Sequence, residues 1–236
     1  MFSFLSLGFL IGLRHALEAD HVAAVVSLST RGGSIARQAA QGALWGLGHT
    51  LTLLVVGGAC VALGVLIPPA AERVFEALVG AMLVALGVSV FARLREQRVH
   101  FHVHRHDGGG APLHAHFHAH RHAGEVAHAD DEHGHSHARP SLRALLVGSV
   151  HGLAGSAALV VITAQVAHSR ATALLYIALF GVGSIAGMIA LAAAIAVPLG
   201  ASARRRSRLY AVLCGGAGAF SVVLGARMLL AYAAAV

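Results

Sequence analysis

The chain holds no lysine. All 17 basic residues are arginine, against 10 acidic ones, and only 11% of the 236 residues are charged. A soluble domain carries about 25% charged residues, which places this chain in the membrane class. The arginines cluster between apolar runs, so nucleic acid is not expected as a partner. Cysteine is scarce too: Cys60 and Cys214 lie in separate apolar segments with no C-x-x-C pair, which leaves them as packing residues and argues against a disulfide. There is no G-x-x-x-x-G-K-[ST] phosphate loop, so ATP hydrolysis is not expected. Nor is there an H-E-x-x-H pair, or a Ser or Cys nucleophile beside the histidines, so no enzyme is expected.

Apolar residues dominate, at 57% of the chain. A spanning helix takes about 20 predominantly apolar residues. Six stretches qualify: 2–28, 38–67, 74–94, 142–167, 171–199 and 209–234. The expected fold is an all-α integral membrane protein of six transmembrane helices. Pro68-Pro69 is expected to end the second helix and Pro198 the fifth. The first run lacks a basic n-region and is interrupted by polar residues, so it reads as a retained span rather than a cleaved signal. Thirteen arginines fall in the first, third and fifth connectors and two, Arg73 and Arg170, on the other side. The positive-inside rule then puts the odd connectors in the cytoplasm and both termini outside, in a multi-pass protein of the cytoplasmic membrane.

The chain also repeats itself at an offset of 135–136 residues. Leu10-Ile11-Gly12-Leu13-Arg14-His15 aligns with Leu146-Val147-Gly148-Ser149-Val150-His151, and Leu44-Trp45-Gly46-Leu47-Gly48-His49 with Leu179-Phe180-Gly181-Val182-Gly183-Ser184. Phe75-Glu76-Ala77-Leu78-Val79-Gly80 aligns more weakly with Tyr210-Ala211-Val212-Leu213-Cys214-Gly215. Three spans per repeat force the halves into opposite orientations, the plan of many secondary transporters. The predicted units are residues 1–94 and 142–236, two inverted three-helix repeats, joined by a loop at 95–141.

The polar residues inside the first span carry the chemistry. Arg14-His15-Ala16-Leu17-Glu18-Ala19-Asp20-His21 sets ionisable groups at membrane depth, where each costs at least ~2.5–3.5 kcal/mol and marks a functional site. Imidazole and carboxylate suit a divalent transition metal. On an ideal helix His15, Asp20 and His21 fall at roughly 0°, 140° and 240° and cannot all face one ion. Either His15, Glu18 and His21 form the binding face with Asp20 behind it, or the helix is distorted there. Broken helices at transporter midplanes favour distortion. His49, in Gly46-Leu47-Gly48-His49-Thr50, is the next metal candidate, brought close to the first span by small neighbours. His151 and Ser156 either line the path or pack. Thr50, Thr52, Gln165 and Ser184 read as interhelical hydrogen-bonding groups.

The segment 100–137 contains thirteen of the 18 histidines, many alternating, together with Gly108-Gly109-Gly110. It lacks the apolar groups for a core and is expected to be disordered without metal. Imidazoles at that density bind nickel, cobalt, copper or zinc, which suggests a cytoplasmic metal buffer or sensor.

At these residues the chain resembles the nickel/cobalt permease family, including its urease-accessory (UreH-like) branch. The family's R-H-A-x-D-A-D-H pattern is matched by Arg14–His21, with Glu18 in place of Asp, and its L-G-H-[ST] pattern by Leu47-Gly48-His49-Thr50. The resemblance implies high-affinity passage of Ni2+ or Co2+, with His15, Asp20, His21 and His49 on the metal path. It covers all six spans, and the His-rich loop is similar to that of efflux-type members. Two departures from the uptake branch, six spans rather than eight and Val22-Ala23 where an Asp-Asn pair is usual, leave direction and metal preference open. The expectation is a secondary transporter of Ni2+ or Co2+, with His15, Glu18, Asp20, His21, His49 and His151 at the metal and no prosthetic cofactor. Its partners would be the ion, the bilayer and cytoplasmic nickel-delivery proteins. Efflux, or metal sensing or chaperoning through the His-rich loop, are the alternatives.

Overall fold

The computed structural model describes residues 2–30, 33–96, 142–154, 161, 167, 169–205 and 207–235. The His-rich segment 100–137, Ser156 and Gln165 lie outside the described residues. Among the described residues there are seven helices and no strand: α1 (Phe2–His15), α2 (Ala19–Ser29), α3 (Ile35–Leu63), α4 (Pro69–Glu96), α5 (Leu142–His151), α6 (Arg170–Arg205) and α7 (Ser207–Ala234). Four of them, α3, α4, α6 and α7, are long and apolar enough to cross a membrane; α2 and α5 are shorter apolar helices. Val55, Leu63, Val212 and Leu230 project outward, as suits a surface facing lipid. The protein is a multi-pass membrane protein, all-helical among the described residues.

Two helix ends differ from the sequence expectation. α3 stops at Leu63, before Pro68, because Gly64 takes the left-handed conformation (φ 66°) and Val65 N–H donates to the Cys60 carbonyl at 3.0 Å. Pro69 instead opens α4, where its missing N–H costs no helical bond. α6 does not end at Pro198 but continues to Arg205. A proline inside a membrane helix is tolerated where neighbouring helices and side chains support the freed backbone. Leu199 is buried beside it, and Ser202 Oγ donates to the Leu199 carbonyl at 2.9 Å.

α3 packs along α6, and α4 along α7. α1 lies on α6, and α5 on α3. Each of these crossings runs through glycine. A Cβ on Gly12 would collide with the Phe180 carbonyl, and one on Gly148 with the Trp45 carbonyl. Likewise Gly48 is pressed on Leu145 and Gly183 on Phe9. In the second pair of helices Gly80 meets Gly225, and Gly87 meets Gly218. Such small residues let membrane helices approach to backbone contact.

The first apolar stretch, expected as one span, is broken into two short helices. α1 ends at His15, Leu17 and Glu18 turn back in tight bonds to the Arg14 and His15 carbonyls (2.9 and 3.0 Å), and α2 restarts at Ala19. The same turn recurs after α5, where Leu153 and Ala154 donate to the Val150 and His151 carbonyls at 3.2 and 3.1 Å. Cys60 and Cys214 are both free thiols, buried.

Candidate metal centre

The break in the first span swings His15, at the end of α1, and His21, in the first turn of α2, toward each other. Their ring centroids are 4.3 Å apart. His49 from the middle of α3 completes a triangle, 5.3 Å from each. His151, at the end of α5, lies 4.1 Å from His21. All four rings are buried, His49 completely. Two groups of donor atoms lie within 4.8 Å of one another: one each from His15, His21 and His49, and one each from Asp20, His21 and His151.

Hydrogen bonding separates these residues by role. Asp20 has both oxygens engaged: Oδ1 accepts from His21 Nδ1 and from its backbone N–H, each at 2.9 Å, and Oδ2 accepts from His151 Nε2 at 2.9 Å. Glu18, largely exposed, takes His15 Nδ1 at 3.0 Å. A carboxylate only accepts, so the imidazole nitrogen facing it carries the proton and the other nitrogen carries a lone pair. Those other nitrogens, His15 Nε2, His21 Nε2 and His151 Nδ1, are buried with no hydrogen-bond partner, and so are both nitrogens of His49. An unsatisfied buried polar atom costs about 1–3 kcal/mol. Several in one place form a set of donors that a soft-to-borderline cation would complete, oriented by carboxylates on their far sides.

The structure thus brings all six sequence candidates together, and the local distortion lets it do so. The remaining polar groups divide. Thr50 Oγ1 donates across to the Gly181 carbonyl at 3.1 Å and Ser184 Oγ to the Gly12 carbonyl at 3.2 Å, as interhelical ties. Thr52 turns back onto Gly48 of its own helix at 3.1 Å. Sequence reasoning missed three residues. Trp45 packs 5.4 Å from His21 and 5.6 Å from His151. Glu76 of α4 and Met228 of α7 line a cavity of about 240 Å³ with His15, Glu18, Asp20, His21, His151 and Ala154. A glutamate in the first turns of an apolar span was a usable signal for Glu76; a lone tryptophan or methionine in such helices gives none.

Comparison of the sequence with known proteins finds a relative. Over 205 residues the chain is 32% identical to the urease accessory protein UreH of Bacillus sp. (strain TB-90), covering 87% of this chain and 81% of that one. The chain belongs to the UreH-type nickel/cobalt permease family. No family profile and no solved structure matches it.

Proposed function

We propose that the protein is a secondary transporter that moves Ni2+ or Co2+ across the cytoplasmic membrane through the His15–His21–His49 centre. The observation that carries this reading is the set of buried, unpartnered imidazole nitrogens at membrane depth. Charged and polar groups at such depth mark ion pathways. In this reading His15, His21 and His49 replace the ion's water shell one ligand at a time. Glu18 and Asp20 hold the rings and add negative charge, and His151, on the far oxygen of Asp20, hands the ion onward. The membrane potential supplies about 4.6 kcal/mol per 100 mV for a divalent ion, inward when the cytoplasm is negative.

Rocking of two inverted triplets would expose the centre to each side in turn. Supporting that plan, the Gly12–Phe180 contact becomes Gly148–Trp45 under the offset of 135–136 residues, and Gly48–Leu145 becomes Gly183–Phe9. The tight turn at Leu17–Glu18 likewise becomes that at Leu153–Ala154. In the third helix the Gly80–Gly225 and Gly87–Gly218 contacts exchange at an offset of 138, three residues from the sequence alignment. The positive-inside count keeps both termini outside and the 95–141 loop in the cytoplasm.

Radioactive nickel and cobalt flux into proteoliposomes tests the reading, with the intact protein beside His15→Ala, Asp20→Ala and His49→Ala. Saturable flux, cut severely by each substitution, is expected. Equal flux in all four proteins would remove the centre from the transport path. Cell-associated nickel in expressing cells gives the direction: uptake raises it and efflux lowers it.

A further inference from the structure

Glu76 sits about two turns inside α4, roughly 10 Å of helix rise from Pro69. It makes none of the contacts that hold the histidines, yet it lines the same cavity. Three carboxylates, Glu18, Asp20 and Glu76, face that space, and among the described residues no arginine lines it. His15, His21 and His151 share its lining, each more than nine-tenths buried and each with an unpartnered ring nitrogen. The volume, about 240 Å³, exceeds the roughly 180 Å³ that six waters occupy at about 30 Å³ each.

We propose that Glu76 forms a receiving site for the hydrated divalent cation, an antechamber in which the ion sits with its waters before the imidazoles strip them. The inference rests on the transport reading and adds a residue and a step to it. Carboxylate oxygens hold a hydrated ion through its waters and compete weakly with imidazole for the bare ion, so the ion passes from Glu76 to the histidines as it loses water. A cleft of one charge sign with apolar surroundings concentrates counter-ions and speeds their arrival, by 10–10³-fold in general. Glu76 is therefore a residue that sets the apparent affinity for the arriving ion. It lies near the Pro69 end of α4 as Met228 lies near the Ala234 end of α7, so the antechamber belongs to that side of the membrane.

The test is initial-rate nickel flux against concentration in proteoliposomes of the full chain, for the unaltered protein, Glu76→Asp, Glu76→Gln and Glu76→Lys. The expected order of KM is unaltered protein, then E76D close behind, E76Q about five- to tenfold higher, and E76K higher still, with Vmax within about twofold throughout. Raising ionic strength from 0.1 to 1 M should shrink the E76Q effect, since the Debye length falls from about 10 to about 3 Å. A packing role would instead lower Vmax or yield, without grading by charge or salt. An unchanged KM in E76Q and E76K at low salt, with flux intact in the unaltered protein, overturns the receiving site alone. Absence of saturable flux in the unaltered protein overturns the transport reading and the receiving site with it.

Discussion

At its Asp20 end, α2 opens onto a cavity of about 240 Å³ walled by imidazoles with bare nitrogens. At its Thr30 end the void is about 10 Å³, scarcely room for one water, and the backbone carbonyls are taken up by side chains. Arg93 of α4 donates to the Ser27 carbonyl at 3.3 Å and to Thr30 Oγ1 at 2.9 Å. Tyr210 of α7 donates to the Thr30 carbonyl at 2.7 Å, and Gln38 of α3 to the Ser29 carbonyl at 3.5 Å. The last turn of one short helix is thus tied to α3, α4 and α7, while among the described residues the side-chain tie from its first turn to another helix runs through Asp20 to His151. Buried polar groups are normally satisfied. At the Thr30 end the backbone carbonyls are satisfied and the void is closed, although Ser27 Oγ is buried without a partner. At the Asp20 end the bare atoms are metal-ligating nitrogens beside a cavity, a place built to receive something that satisfies them.

That contrast breaks most completely at His21, which both donor groups share. His21→Ala should abolish nickel binding to the centre and reduce flux by on the order of 100-fold or more, beyond what loss of a supporting carboxylate costs. Asp20→Asn should follow, with a loss of about 10–100-fold in affinity. The amide keeps one acceptor but points a donor at a ring that also donates, so His21 or His151 turns away; isothermal titration with Ni2+ measures it. At the closed end the effects are smaller. Tyr210→Phe removes one hydrogen bond, worth about 1 kcal/mol. Cys214, buried beside Tyr210 and lining the small void, reports on it. In a Cys60→Ser background its maleimide labelling should speed up about fivefold, and an unchanged rate would mean that Tyr210 does not hold that end shut. Deleting residues 100–137 should change flux by no more than about twofold. Loss of function on that deletion would favour a sensor that works through the loop.

The candidate centre stood out in the sequence because ionisable groups in an apolar stretch have so few structural explanations. His15, Glu18, Asp20, His21 and His49 stand out for that reason alone. The division of labour among them was not legible: that Asp20 spends both oxygens on His21 and His151 depends on where α5 lands against α2, and no local pattern encodes it. The four long spans were plain from length and hydropathy, but their ends were not. Gly64, not Pro68, ends α3 through its own left-handed turn, and Pro198 is carried inside α6 because its surroundings support the freed backbone. Arg93 and Tyr210 were invisible as a tie, since an arginine and a tyrosine near a membrane boundary look like ordinary interface anchors.

The most direct test of the centre is X-ray absorption at the nickel edge on purified protein lacking residues 100–137, so that the His-rich segment contributes no signal. The account predicts one tightly bound ion with imidazole scattering, reduced in His15→Ala and His49→Ala and absent in His21→Ala. An oxygen-only shell, or imidazole scattering that persists in all three variants, would contradict it.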